Sequence, residues 1–390
     1  MTTKNVVADE LRAVLEAIVT RGEGAEARCA TEVLALLARP DPLDKQFAVS
    51  LAELVDLYDE PPSATAAELA PAIGAIGLPL IAARATIIAG RVRDKAKEKV
   101  NALALYDEAL QLLGDDWSRD AQDLWGFAMQ QRVRHARFLG DALEAVDTLA
   151  TRAADVHNSY LSNRVLEASA AWMHRAATAD RKAETIAVCR RALACEIAEA
   201  TALTWSHRID LGCGLALALR QLDKHDDALA ACREVLALQA HVTTDNQRAN
   251  FSWALAEGAY IATEIFEQPS AALPFIAAIR ALIDKPRNDD ERVELAYGVV
   301  MEARCAFMLG DDVRTTKLLT ELDKITDGAG NMTHALAAET LLRGDLAAKR
   351  GDRHGAIELW KELAKRHGTS KDDSLRECSK KASDRLAELD

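Results

Sequence analysis

The sequence predicts an all-α protein, an α-solenoid built from repeated helix pairs. Apolar residues make up 49% of the 390-residue chain, whereas aromatic residues make up only 5%. The apolar share leans on Ala and Leu, which are strong helix formers. Alternating stretches of Val, Ile, Thr and aromatic residues, which are typical of strands, are missing from the sequence. A sequence period of 40 to 44 residues then predicts that the helices form an array.

The first 76 residues predict four helices, at 7–20, 25–38, 43–58 and 63–75. The segments RGEG, RPDP and DEPPS separate them and carry turn residues. This region has six Lys/Arg against thirteen Asp/Glu, a balance of −7, whereas residues 77–140 have ten against eight, a balance of +2. We expect residues 1–76 to form an acidic helical N-terminal cap or module.

Seven copies of the repeat are expected between residues 77 and 368. Each copy has a small residue early in its second helix, a larger residue four positions later and a third residue three positions beyond that. This spacing places all three side chains on one helix face. The small anchor residues are Ala102, Ala145, Thr185, Ala228, Ala272, Thr315 and Ala356. The face is apolar or nearly so in six copies, and Arg152 of the second copy is the exception.

Two more positions recur ahead of each anchor. The residue twelve positions earlier lies in the middle of the first helix, and the residue five positions earlier lies in the turn. The mid-helix residues are Gly90, Val133, Met173, Ala216, Tyr260, Ala303 and Gly344. The turn residues are Lys97, Gly140, Asp180, Asp223, Glu267, Gly310 and Gly351. We expect the glycines to adopt the left-handed conformation that ends a helix, and the polar residues to serve the turn in the other copies.

Residues 369–390 predict a polar C-terminal capping helix with Ser370 at its N-cap. Such caps are expected because the terminal units of a repeat array have no neighbour on one side.

The segment RGDLAAKRGDRHGAIELWKELAKR resembles the tetratricopeptide repeat (TPR), with Gly344, Gly351, Ala356 and Trp360 at the signature positions. The usual unit has roughly 34 residues, whereas this one has about 43 and lacks the closing proline. The longer form resembles the repeats of kinesin light chains and of bacterial TPR sensor proteins. The resemblance covers about residues 78–368. It implies about seven TPR-like helix pairs in a right-handed superhelix, with the first helices lining a concave groove that binds a peptide or partner protein.

The groove positions of that family, carried onto this chain, predict a basic entrance. These groove positions lie three residues before and one residue after each mid-helix residue, and in the first four copies they are Ile87, Arg91, Gln130, Arg134, Ala170, His174, Cys213 and Leu217. Arg84 and Arg137 stand one turn away, and the basic entrance consists of Arg84, Arg91, Arg134, Arg137 and His174. Guanidinium groups in such a cluster could hold the carboxylates of an acidic segment in the partner. The alternative is that these arginines are solvated or paired with Asp94, Glu167 and their neighbours.

Tryptophans fall near the start or middle of several first helices, at Trp125, Trp172, Trp205 and Trp253. Tryptophan is enriched at binding hot spots, so these residues are candidate groove anchors. The alternative is that they fill the space between repeats.

Several functions are disfavoured by composition. A formal net charge of −13 would repel nucleic acid, and the longest uncharged run, Leu69–Ala83, is shorter than a membrane span. The seven cysteines form no Cys-x-x-Cys pair, so we expect reduced thiols and no metal site. The N-terminus has no apolar signal-peptide core, so the expected location is the cytoplasm.

Enzyme motifs are not found in the sequence. The run DDWSRD, Asp115–Asp120, has Arg119 where a terpene-cyclase motif needs its last acid, and it predicts a loop and helix N-cap instead. No phosphate loop, dinucleotide fingerprint or His-Glu-x-x-His motif is present. We therefore expect neither catalytic residues nor cofactors.

The expected function is that of a non-catalytic scaffold or adaptor that binds a peptide or partner protein. The alternative is a signal receptor for a peptide or small molecule that regulates a separate effector chain. Self-association of the array is a third hypothesis.

Overall fold

The computed structural model describes residues 3–22, 24–39, 43–156, 159–177, 179–197, 200–327 and 332–388. These residues form nineteen α-helices and no strand. The helices are α1 (Thr3–Arg21), α2 (Ala25–Leu37), α3 (Lys45–Asp56), α4 (Thr65–Ala75), α5 (Pro79–Lys95), α6 (Lys99–Leu113), α7 (Arg119–His135), α8 (Leu139–Val156), α9 (Ser159–Ala176), α10 (Lys182–Leu193), α11 (Ala202–Arg220), α12 (His225–Leu236), α13 (Asp245–Tyr260), α14 (Pro269–Leu282), α15 (Asp289–Met308), α16 (Asp312–Thr326), α17 (Thr333–Lys349), α18 (Arg353–His367) and α19 (Asp373–Ala387). The all-α fold class is confirmed.

The chain divides into two compact units. Unit 1 comprises Met1–Arg181 and Ala187–Glu199, and unit 2 comprises Lys182–Ile186 and Ala200–Asp390. In unit 1, α5 packs against α6 and α7, and α7 packs against α8 and α9. In unit 2, α11, α13, α15 and α17 contact one another in order, and each packs against the helix that follows it. This sequential pairing is the arrangement of a TPR-like helical repeat array.

The predicted anchors fall in every second helix from α6 to α18, and all seven are buried. The larger residues four positions later are buried as well, from Tyr106 in α6 to Trp360 in α18. Arg152, the exception in the predicted face, places its guanidinium over the Trp117 ring at 3.6 Å. A cation over an aromatic face keeps the charge favourable on an otherwise apolar surface, which explains how the second copy tolerates Arg152.

Close approach between the two helices of a repeat explains the small mid-helix residue. A Cβ atom on Gly90 would lie 2.7 Å from the ring of Tyr106, and one on Gly344 would lie 2.4 Å from Nε1 of Trp360. The large residue of the second helix therefore occupies the space that a side chain on the first helix would need.

The predicted turns adopt the left-handed conformation in six of the seven copies. The φ angle is positive at Gly310 and Gly351, and also at the four residues with side chains, Lys97, Asp180, Asp223 and Glu267. Gly140 was expected in the turn but lies inside α8, because the connection after α7 is short and α8 begins at Leu139.

The four predicted N-terminal helices correspond to α1–α4, with ends that differ by a few residues. Their core includes Leu11, Phe47 and Leu69 and continues into Ala85 and Ile88 of α5. The boundaries at 76/77 and 368/369 stay predictions. Ser118 caps α7 by accepting a hydrogen bond from the Ala121 amide, as the DDWSRD run predicted.

The predicted N-cap of the last helix is wrong by two residues. Asp372, not Ser370, accepts the capping hydrogen bond, from the amide of Leu375 at 3.1 Å. Ser370 instead accepts from the Asp372 amide through its hydroxyl, so it supports the turn that brings Asp372 to the helix end.

Candidate functional site

The arginines of the predicted basic entrance are largely neutralised by acidic residues on neighbouring elements of unit 1. Arg84 pairs with Asp56 at 2.9 Å, and Arg91 pairs with Asp59. Arg134 donates to Glu167 at 2.7 Å. A carboxylate ligand would have to displace these acids, so the alternative of paired arginines describes the observed geometry.

The remaining predicted groove residues of unit 1 differ in accessibility. Arg137 and His174 are exposed, and the Arg137 guanidinium lies 5.3 Å from the centre of the Phe138 ring. Gln130 is buried and accepts a hydrogen bond from Arg164 at 2.7 Å. Its side chain therefore joins α7 to α9 and does not present a free amide to a ligand.

The four tryptophans differ in their burial and contacts. Trp172 is buried, and its indole N–H donates to the carbonyl oxygen of Leu139 at 3.2 Å; this corrects its assignment as a groove anchor. Trp125 packs edge-on against Trp117, with ring centres 5.6 Å apart. Trp205 stacks on His241 at 3.7 Å. Trp253 lines a cavity in unit 2.

That cavity is the candidate functional site of unit 2. It has a volume of about 420 Å³ and lies among α11, α13, α15, α17 and α19. We call it the unit 2 cavity. Its walls come from the first helices of four consecutive repeats together with the C-terminal helix. A volume between about 300 and 1,000 Å³ is typical of small-molecule sites.

Charged side chains in the walls form pairs that reach from α19 to the repeats. Lys381 of α19 donates to Glu264 at 2.8 Å, and Arg304 of α15 contacts Glu264 at 3.1 Å and Asp345 of α17 at 2.7 Å. Arg220 of α11 pairs with Glu257 of α13 at 2.8 Å. Each of these buried charges is therefore compensated, as the cost of desolvation requires.

Two hydrogen bonds fasten α19 to distant helices. The hydroxyl of Tyr260 donates to Glu377, which lies 117 residues further along the chain. The guanidinium of Arg220 donates to the hydroxyl of Ser374 at 3.3 Å, across 154 residues. The C-terminal helix of unit 2 therefore contacts α11 and α13 as well as its sequence neighbours α17 and α18.

A π-helical segment, Ile261–Ile265, places one of the key acids. It continues α13 and contains Glu264, whereas Ile261 within the same segment is fully buried. A π-helical turn changes the direction of the side chains that follow, and such segments are frequent at functional sites.

The pairing determines how the wall residues titrate. Burial opposes ionisation of Glu264, but its contacts with Arg304 and Lys381 outweigh burial and lower its pKa. Burial raises the pKa of Glu257, and Arg220 offsets this only in part. Glu294 of α15 has no such cation: burial, together with the nearby Asp290, raises its pKa from 4.5 to about 7.

The sequence analysis did not predict most of this cavity, because it applied the groove positions of the TPR resemblance only to the first four copies. The groove positions lie three residues before and one residue after the mid-helix position. Among the first four copies, this rule names Leu217, which lines the cavity. Applied to the last three copies, it also gives the lining residues Glu257, Val300, Arg304 and Leu341. The contribution of α19 could not have been found this way, because that helix lies outside the repeat.

Thiol chemistry and metal binding are not indicated by the described residues. All seven cysteines are free, and burial raises the pKa of Cys189 to about 12 and of Cys378 to about 11. Within the described ranges, no group of His, Cys, Asp and Glu side chains has the geometry to hold a metal ion. Among the same residues, no helix combines the length and apolar character needed to cross a membrane.

The helix pairing defines the class of this protein as an all-α array of TPR-like helix pairs. No family model matches the chain, and no curated protein matches it. The crystal structure of the P58(IPK) TPR domain at 2.5 Å is similar over 98% of this chain and 99% of its own, with 11% identity and a TM-score of 0.24. The crystal structure of the APC/C hetero-tetramer Cut9–Hcn1 is similar over 92% of this chain and 96% of its own, with 12% identity and a TM-score of 0.27. These scores are low, and the fold class rests on the helix pairing within this chain.

Proposed function

We propose that the chain is a non-catalytic interaction protein that binds a segment of a partner protein along the first helices of unit 2, at the unit 2 cavity. The observation that carries the proposal is the position of α19. Its side chains contact α11, α13 and α17, and they line the cavity together with residues of α15. This face of the array therefore accepts one helical segment and leaves a cavity beside it.

Composition of the walls supports binding more than catalysis. The charged groups Arg220, Arg304 and Lys381 are held in pairs with acids, so they are positioned but not free to exchange protons with a substrate. The apolar walls between them offer the buried contact area on which most protein–peptide affinity depends.

Partner capture with two matched variants tests the proposal. Ala338 of α17 lines the cavity and is half-buried, whereas Ala277 of α14 is exposed on the second helix of its repeat. Ala338→Trp should fill the cavity, and Ala277→Trp adds the same bulk elsewhere. We expect a partner identified with the wild type, and then purified, to lose at least about tenfold in affinity for Ala338→Trp only.

Two outcomes would contradict the proposal. One is equal binding of the purified partner to both tryptophan variants, each shown by circular dichroism to be folded. The other is loss of binding in Arg134→Glu/Arg137→Glu with no effect of Ala338→Trp, which would move the site to the predicted basic entrance of unit 1 and to an acidic partner.

The second candidate function is a receptor for a small molecule that signals to a separate chain. The volume of about 420 Å³ favours it, because a flat protein-binding groove needs no such cavity. A ligand that binds the folded state alone should raise the unfolding temperature in the absence of any protein partner. Light scattering over a concentration series separates both candidates from self-association.

A further inference from the structure

Glu294 differs from the other charged residues in the walls of the unit 2 cavity. Arg220, Arg304 and Lys381 each contact at least one acid. Glu294 has no ion pair and no hydrogen bond with any described residue, and its nearest charged influence is the repulsive Asp290 on the same helix. The lining thus contains one carboxyl group without a partner.

Leaving a carboxyl group in this position is costly, because burial favours its neutral form and no cation compensates the charged form. The pKa of Glu294 rises to about 7 as a result. Functional carboxyl groups are often kept in such surroundings, where a ligand supplies the missing contact.

The remainder of the cavity wall is largely apolar. Leu217, Val293, Val300, Met301, Leu341 and Leu375 contribute to it from α11, α15, α17 and α19. A ligand that fits here has an apolar body and brings its polar group to one side. The paired charges need no further counter-ion. The ligand should therefore carry one positive charge, placed against Glu294.

We propose that the unit 2 cavity binds a primary ammonium or guanidinium group carried on an apolar body, with the cation against the Glu294 carboxylate. This inference rests on the proposed binding role of the cavity and names its ligand class. The group could come from a free organic amine or from a Lys or Arg side chain of the partner, since the recognising chemistry is the same. It is opposite in charge to the acidic partner that the arginines of unit 1 predicted.

The pH dependence of binding follows from the state of Glu294. A cation prefers the ionised carboxylate, which dominates above a pH of about 7. Affinity should therefore fall by about tenfold for each pH unit below that value. Alkylammonium and guanidinium groups stay charged over this range.

Among the other titratable groups in the walls, Glu257 and His334 need control variants of their own. Burial raises the pKa values of Tyr260, Tyr297 and Cys378, so these residues stay neutral, and the contacts of Glu264 and Lys381 keep that pair charged. Glu377 accepts a hydrogen bond from Tyr260. Glu257 pairs with Arg220, but burial raises its pKa as well, so Glu257→Gln is a second control. His334 of α17 pairs with Asp372 at 3.0 Å and is tested directly with His334→Gln.

Calorimetric titration of the full chain with matched probes tests the inference. Hexylamine and its uncharged counterpart hexanol form one arm, and a blocked Leu-Lys-Leu peptide and its norleucine analogue form the other. We expect each cationic probe to bind at least about tenfold more tightly than its neutral match above pH 7. The arm with the larger preference identifies the source of the cation.

Glu294→Gln is the decisive variant, because it keeps the shape of the side chain and removes the charge. It should lose the preference for the cation and the pH dependence together, whereas His334→Gln and Glu257→Gln should each retain both. Equal binding of charged and neutral probes, or an unchanged pH dependence in Glu294→Gln, would overturn the inference. If partner capture still depends on Ala338 in that case, the proposed function stands and only the ligand class fails.

Discussion

The predicted basic entrance of unit 1 and the unit 2 cavity both contain arginines paired with carboxylates, but the pairs differ in how far they are exposed. In unit 1, Arg134 and Arg84 pair with acids while more than two-fifths of each arginine side chain stays exposed. In the cavity, Arg304 is 16% exposed and holds Glu264 and Asp345, which are 9% and 6% exposed. The difference teaches that a positive residue at a groove position says little until its exposure and its partners are known.

The largest expected effect on stability comes from breaking a buried ion pair in the unit 2 cavity, compared with an exposed ion pair in unit 1. Arg304→Met removes the shared cation of two buried acids, and we expect the free energy of unfolding to fall by about 3 kcal/mol. Arg134→Met breaks a pair in solvent contact and should cost about 1 kcal/mol or less. Urea unfolding followed by circular dichroism measures both. Equal losses would mean that burial does not distinguish the two regions.

Glycine-to-alanine variants test the close helix packing that the two units share. Gly90→Ala and Gly344→Ala place a Cβ within 2.7 Å of Tyr106 and 2.4 Å of Trp360, so each should destabilise its unit by about 2 kcal/mol through overpacking. A Cβ atom on Gly140 in α8 would instead point into open space, with nothing within 4 Å apart from its chain neighbours and the backbone of its own helix. Gly140→Ala should therefore stabilise by about 0.5 kcal/mol. The same sign at all three positions would contradict the close-packing account.

The repeat was predictable from sequence because it recurs seven times. Anchors and large residues were found in all seven copies and turn positions in six, since each is enforced by the same helix-to-helix packing. Glu167 was named from sequence as a candidate partner of the arginines, and Arg134 pairs with it. The pairing of Arg304 with Asp345 was not predicted, because it joins helices about one repeat apart and depends on side-chain directions that the period does not fix. The contacts of α19 with Arg220 and Tyr260 bridge more than 100 residues, and no local pattern encodes them.

The third prediction concerns the cost of the unpaired acid. The pKa of Glu294 is higher in the folded chain, about 7, than its ordinary value of 4.5. The folded state therefore binds more protons between these values, and stability falls as pH rises through that range. Glu294→Gln should stabilise the chain by about 1–2 kcal/mol above pH 7 and by little near pH 4. A pH-independent difference from the wild type in urea unfolding would contradict this assignment.

The smallest expected effect lies in the turns. Lys97 in unit 1 and Glu267 in unit 2 hold positive φ angles of 63° and 53°, which cost an L-residue about 1–2 kcal/mol. Substitution by glycine removes this cost, but part of the gain in stability is lost because glycine gives the unfolded chain more conformational freedom. Lys97→Gly and Glu267→Gly should each stabilise by about 0.5 kcal/mol, measured as a rise in the unfolding midpoint. Destabilisation by both would mean that their side chains, and not only their backbones, hold the turns.

Site-specific photo-crosslinking in native cells tests most directly whether the first helices of unit 2 form the binding face. A photoreactive amino acid is placed at Ala338 in the unit 2 cavity, at Ala277 on the outer helix α14, or at Arg137 in the predicted entrance of unit 1. The account predicts a crosslinked partner from position 338 and none from position 277. Crosslinks from 277 or 137 without one from 338 would contradict it.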